Sequence, residues 1–188
     1  MLYSLGADMD SATNTAVVKL LNQQANSAPA QLPLSFFKSG QFLSLTPNCQ
    51  GGLILQRPFY ADFVGSGAAV GSSFDLNCTS VYAIGKVEFC VPATYSERQQ
   101  AFQQRMAYSQ QLQDIVGEQA PLHRCILMLN QLSQWVGAEE ATKVPDELVA
   151  RLAGVLTKTI KVARKTSVQA TPQGATLRTS QRLLGRSS

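Results

Sequence analysis

The chain has 188 residues, 45% of them apolar and 15% charged, with 16 Lys and Arg against 12 Asp and Glu. That balance suits one large or two small globular domains able to bury a core. No run of about 18 apolar residues occurs, so no membrane-spanning helix is expected, and the opening MLYSLGADMDSATNT lacks the basic and apolar regions of a secretory signal.

Residues 1–31 are polar and small, with one short helical candidate at Thr15–Gln24 and a loop or linker, ANSAPAQ, behind it. From Leu32 to about Val91 the character changes. The runs LPLSFF, QFLSL, GGLILQ, DFVG, VYAIG and VEFCV are separated by Gly, Pro, Ser and Asn. Short strands with turn signals about every ten residues predict a small antiparallel β-barrel, jelly-roll-like, over residues 32–93. Cys49, Cys78, Cys90 and Cys125 are scattered, with no CxxC pair and only His123 as a nearby imidazole. Metal ligands must converge and this spacing offers no convergence, so neither a metal nor another cofactor is expected. The thiols read as buried, reduced small hydrophobes of a cytoplasmic protein, with a disulfide as the alternative.

At Pro92 the pattern turns helical. Thr94 or Ser96 can cap a long segment, SERQQAFQQRMAYSQQLQDIVGEQ, assigned to residues 94–120. Phe102, Met106, Leu112, Ile115 and Val116 form a sparse apolar stripe in Gln-rich surroundings. Such a narrow seam predicts a homodimer interface, the alternative being packing on the chain's own barrel. Pro121 ends this helix and opens a domain over residues 121–188. Its first helix, LHRCILMLNQLSQWVG, is apolar nearly all round and forms the hydrophobic backing. GAEEATKVP reads as a connector, where the adjacent Glu139 and Glu140 make a polar loop rather than a carboxylate pair aimed at one substrate.

The stretch Asp146–Lys165, DELVARLAGVLTKTIKVARK, has the pattern of a helix-turn-helix. Ala150 supplies the small residue where two helices touch, and Gly154 the residue tolerant of positive φ in the turn. Val149, Ala153, Val155, Ile160 and Ala163 fall where the motif needs apolar anchors. An ordinary amphipathic helix pair with a glycine turn is the alternative. From Lys143 onward nine basic side chains stand against Asp146 and Glu147, whereas residues 1–142 carry seven basic and ten acidic ones. A basic module on a mildly acidic body is the footprint of a phosphate-backbone binder, and Lys158, Lys161 and Lys165 recur on one side of the predicted second helix. A solvated basic end is the other reading. QATPQGATLRTS then predicts a small hairpin with Thr171–Gly174 at its tip.

This order of elements resembles the cyclic-AMP receptor protein/FNR (Crp/Fnr) family of transcription regulators over roughly residues 32–183. SFFKSGQFL is similar to the family's opening strand-turn, DFVG to the entry of its phosphate-binding cassette, and VYAIGKVEFCVP to its last barrel strands. The best-matched part is LHRCILMLNQLSQW followed by VPDELVARLAGVLTKTIKVAR. The resemblance implies an α+β fold: a degenerate cyclic-nucleotide-binding-like barrel, a long dimerisation helix and a C-terminal winged helix-turn-helix. It implies a homodimer on double-stranded DNA, with a protein partner or a small effector at the barrel. Thr157, Lys158, Thr159, Lys161, Arg164 and Lys165 would be the DNA-binding residues. Among these, Thr157 and Lys158 would lie at base edges, with Lys161 and Lys165 at phosphates.

Departures from the family narrow the expectation. Ser66 follows DFVG, and no Arg lies between Arg57 and Arg98 to pair a cyclic phosphate, so cyclic AMP is not expected to bind in the usual way. Clustered N-terminal cysteines for an iron–sulfur sensor are missing. Leu156 to Val162, LTKTIKV, lacks the Glu and Arg side chains common on the family's recognition helix. A protein-interaction module that has lost specific DNA binding is the alternative function. No nucleophile-elbow, phosphate-loop or zinc-protease pattern occurs, and His123 reads as structural, so no enzyme is expected.

Overall fold

A computed structural model describes residues 18–24 and 31–169. The first helical residues, 18–24 (α1), bury Leu21. Asn22 ties them to the sheets, because its Oδ1 accepts the Phe89 amide at 2.7 Å. Next come β1 (Gln31–Leu32), α2 (Leu34–Phe37), β2 (Phe42–Leu45), β3 (Gln50–Gln56), β4 (Ala61–Val64), β5 (Ala69–Gly71), β6 (Ser80–Lys86) and β7 (Phe89–Cys90). The LPLSFF run, expected as a strand, instead turns helical after Pro33. It buries Phe37 edge-on against Phe89, with ring centroids 6.2 Å apart.

The strands form two antiparallel sheets, ordered β1-β6-β3-β4 and β5-β2-β7. Neither closes, so the expected jelly-roll-like barrel, and with it the fold predicted for residues 32–93, is corrected to a pair of open sheets. The physical reason is strand length. β3 and β6 have seven residues each and pair along their length, but the outer strands have two to four and cannot reach round to a closing partner. The edges at β4 and β5 are covered by a helix instead.

That helix is α3 (Tyr95–Val116), started by a capping box between Thr94 and Glu97. Ala101, Arg105, Tyr108, Leu112 and Ile115 are its buried residues, at helical spacing on one narrow face. The predicted dimer stripe is therefore split. Leu112 and Ile115 pack into the chain's own core, while Phe102, Met106 and Val116 are 40%, 53% and 39% exposed. Tyr108 lies over Gly65, where an added Cβ would stand 2.4 Å from the phenol ring. It also meets Phe63 and Trp135 edge-on at 5.5 and 5.7 Å, and those two rings stack at 4.2 Å.

α4 (Pro121–Val136), α5 (Ala138–Lys143), α6 (Asp146–Ala153) and α7 (Thr157–Gln169) complete the fold. The segment read as a connector thus contains a helix, α5, in which Lys143 bonds Glu139 and Glu140 at 2.9 and 2.7 Å. One apolar cluster runs through both sheets and the helices behind them. All four cysteines are free; Cys78 and Cys125 are buried, Cys49 and Cys90 partly so. Burial pushes the Cys49, Cys78 and Cys125 thiols up. Among the described residues no helix is long and apolar enough to cross a membrane. The predicted hairpin around Thr171–Gly174, which would be the wing, lies outside the described residues.

Candidate nucleic-acid interface

α6 and α7 meet at a tight elbow. Leu148, Val149, Ala150, Leu152 and Ala153 bury the inner side of α6, and Gly154 ends it with φ 61° and ψ 43°. That left-handed backbone favours glycine and lets the chain reverse within three residues. The Val155 amide donates back to the Ala150 carbonyl at 3.0 Å, closing the turn. In α7, Ile160 and Ala163 are buried and anchor the helix. It packs against α4 and α6.

The opposite side of α7 is open. Lys158, Lys161 and Lys165 are exposed, and Thr157 and Thr159 partly so, which brings five of the six predicted DNA-binding residues onto an accessible surface. Leu156 and Val162 are exposed beside them. Arg164 is placed differently. Its Nε donates to Asp146 Oδ1 at 2.7 Å and its Nη2 to the Val144 carbonyl at 2.8 Å, so it ties α7 to the start of α6. Between residues 121 and 169 seven basic side chains face four acidic ones.

Two other arginines contribute that the sequence did not single out. Arg124 of α4 reaches the elbow carbonyls, and Arg151 of α6 donates to the Arg57 carbonyl on the β3–β4 turn at 3.4 Å. No motif marks either residue, because each acts on a backbone oxygen brought to it by folding.

The remaining polar concentration is buried. Asp75, with no exposed surface, accepts from the Gly71 amide at 2.7 Å and from Arg57 and Arg105 at 3.2 Å each. Arg57 also bonds Asp62 at 2.7 Å. Two arginines and two aspartates thus balance each other where both sheets meet α3. A cleft of about 470 Å³ opens nearby between β2, the β4–β5 turn and α3. Ser44, Ser66, Cys90, Glu97, Gln100 and Gln104 are its polar lining, and among the described residues no Lys or Arg lines it. Ser44 Oγ and Cys90 Sγ are 3.2 Å apart, in hydrogen-bond contact. The Glu97 carboxylate is occupied by the Ala93 and Thr94 amides at 2.8 and 3.0 Å.

In comparisons with known proteins, the chain matches no family pattern and no curated sequence.

Proposed function

We propose that the α6–α7 pair binds double-stranded DNA, and that the protein is a homodimeric transcription regulator of the Crp/Fnr kind. One observation carries this reading. Lys158, Lys161 and Lys165 stand exposed on one side of a helix whose other side is anchored by Ile160 and Ala163. A rod held by its apolar face and charged on its free face suits a groove lined with phosphates. Phe102, Met106 and Val116, apolar and exposed along α3, support pairing of two copies through that helix. The 470 Å³ cleft has room for a small effector.

Binding of random-sequence duplex across a salt series tests the proposal. Each phosphate contact adds about 0.9 to the slope of log affinity against log salt, so Lys161→Ala and Lys165→Ala should each flatten it by about one. Unchanged slopes in both variants overturn the interface.

A second reading is favoured by the β3–β4 turn, where Phe59 is 94% exposed beside Tyr60. An aromatic tip of this kind suits a protein partner. Association with another protein together with salt-insensitive or absent DNA binding would select it.

A further inference from the structure

We propose that Arg124 is the positioning residue of the α6–α7 elbow, holding two carbonyls whose orientation sets the direction in which α7 leaves α6. Its consequence for DNA rests on the function proposed above; its geometry does not. Arg124 lies in the first turn of α4, and its Nη1 donates to the Ala153 carbonyl at 3.3 Å and the Gly154 carbonyl at 3.4 Å. Carbonyls at the end of a helix have no partner within it and carry partial negative charge. Inside the turn, the Gly154 and Val155 amides both return to the Ala150 carbonyl. That leaves the Ala153 and Gly154 oxygens for a donor from another element, and Arg124 supplies it.

Only Val155 and Leu156 separate Gly154 from α7. The tilt of the Gly154 peptide therefore passes almost directly into the helix axis, and with it into the height at which Lys158 and Lys161 are presented. Arg124 is itself held rather than loose. Its Nε is buried with no hydrogen-bond partner among the described residues, so the fork is tethered at the elbow through Nη1. A guanidinium can hold both carbonyls from one nitrogen set in a rigid plane. A lysine ammonium, on a flexible stem, holds that geometry less well.

The experiment compares the full chain with Arg124→Ala and Arg124→Lys, each studied well below its own melting temperature. Amide hydrogen exchange is read at Gly154, Val155 and Thr159, whose amides are hydrogen-bonded, with Leu53 to Leu55 of β3 as the internal control. In Arg124→Ala the elbow amides should exchange about tenfold faster while the β3 amides keep their rates, the size expected for loss of one charged hydrogen bond. Arg124→Lys should fall between. Duplex affinity should drop by about tenfold in Arg124→Ala and partly recover in Arg124→Lys, with the salt slope the same in all three proteins. Unchanged exchange at the elbow overturns the proposal. So does a slope flattened by about one, which would make Arg124 a phosphate contact itself. Should the wild-type chain bind no duplex at any salt, the DNA reading falls and the exchange rates alone decide the role of Arg124.

Discussion

Arg105 on the long helix sits 3.2 Å from the carboxylate of Asp75, a residue with no exposed surface. The contact joins α3 to the turn after β5, and Arg57 extends it to β3. Removing the carboxylate leaves the buried Arg105 guanidinium without its nearest counter-charge and Arg57 with Asp62 alone. Asp75→Ala is therefore expected to cost about 3–5 kcal/mol of stability, the range for breaking a buried pair from one side. Urea unfolding followed by Trp135 fluorescence measures it, and a loss under about 1 kcal/mol would show that water replaces the carboxylate.

Gly154 makes a second prediction. Its φ of 61° lies in the left-handed region, and an added Cβ would stand 3.5 Å from Arg124 Nη1, an ordinary contact. Gly154→Ala should thus meet a backbone penalty rather than a clash, costing about 1–2 kcal/mol. Gly154→Asn should cost less, because asparagine tolerates this region better. Equal losses for Ala and Asn would point to side-chain crowding instead.

A pH dependence follows from the capping box. Hydrogen bonds from the Thr94 and Ala93 amides hold the Glu97 carboxyl below its ordinary value of 4.5. Because the folded value is the lower one, the stabilisation is present above about pH 4.5 and is lost as pH falls through the folded value. The melting temperature of Glu97→Gln should lie below that of the wild type near neutral pH, and the gap should close in acid. A gap independent of pH would mean that the carboxylate charge is not what the amides hold.

The cleft beside α3 is expected to reject cyclic AMP. Among the described residues its lining has no Lys or Arg, so an anionic phosphate there would give up its water without a charge-assisted partner. Isothermal titration should show no binding at micromolar concentration. Tight binding would place the nucleotide on groups outside this cleft or require the cleft to rearrange.

The helical half of the molecule was readable from residue order. Pro121, the 3.6-residue spacing of apolar side chains, and Gly154 between two such runs mark elements whose bonds close within four residues. The same local logic placed Ile160 and Ala163 inward and the three lysines outward. It failed at α5 and at α2, where segments of six and four residues are too short for the period to repeat. It also failed for the barrel, since most strands were visible but their partners were not, and β5 was not read at all.

From order alone came the sites of the longer helices, the glycine elbow and the basic face, all set by interactions between near neighbours in the chain. Tertiary structure alone decided that the sheets stay open, that α3 covers their edges with Leu112 and Ile115 turned inward, and that Arg164 serves Asp146 rather than the open face. Those outcomes depend on which distant groups arrive at the same place. Arg105 and Asp75 are thirty positions apart, and Arg124 and Gly154 likewise. No periodicity encodes such a meeting, because it follows from packing the whole core at once.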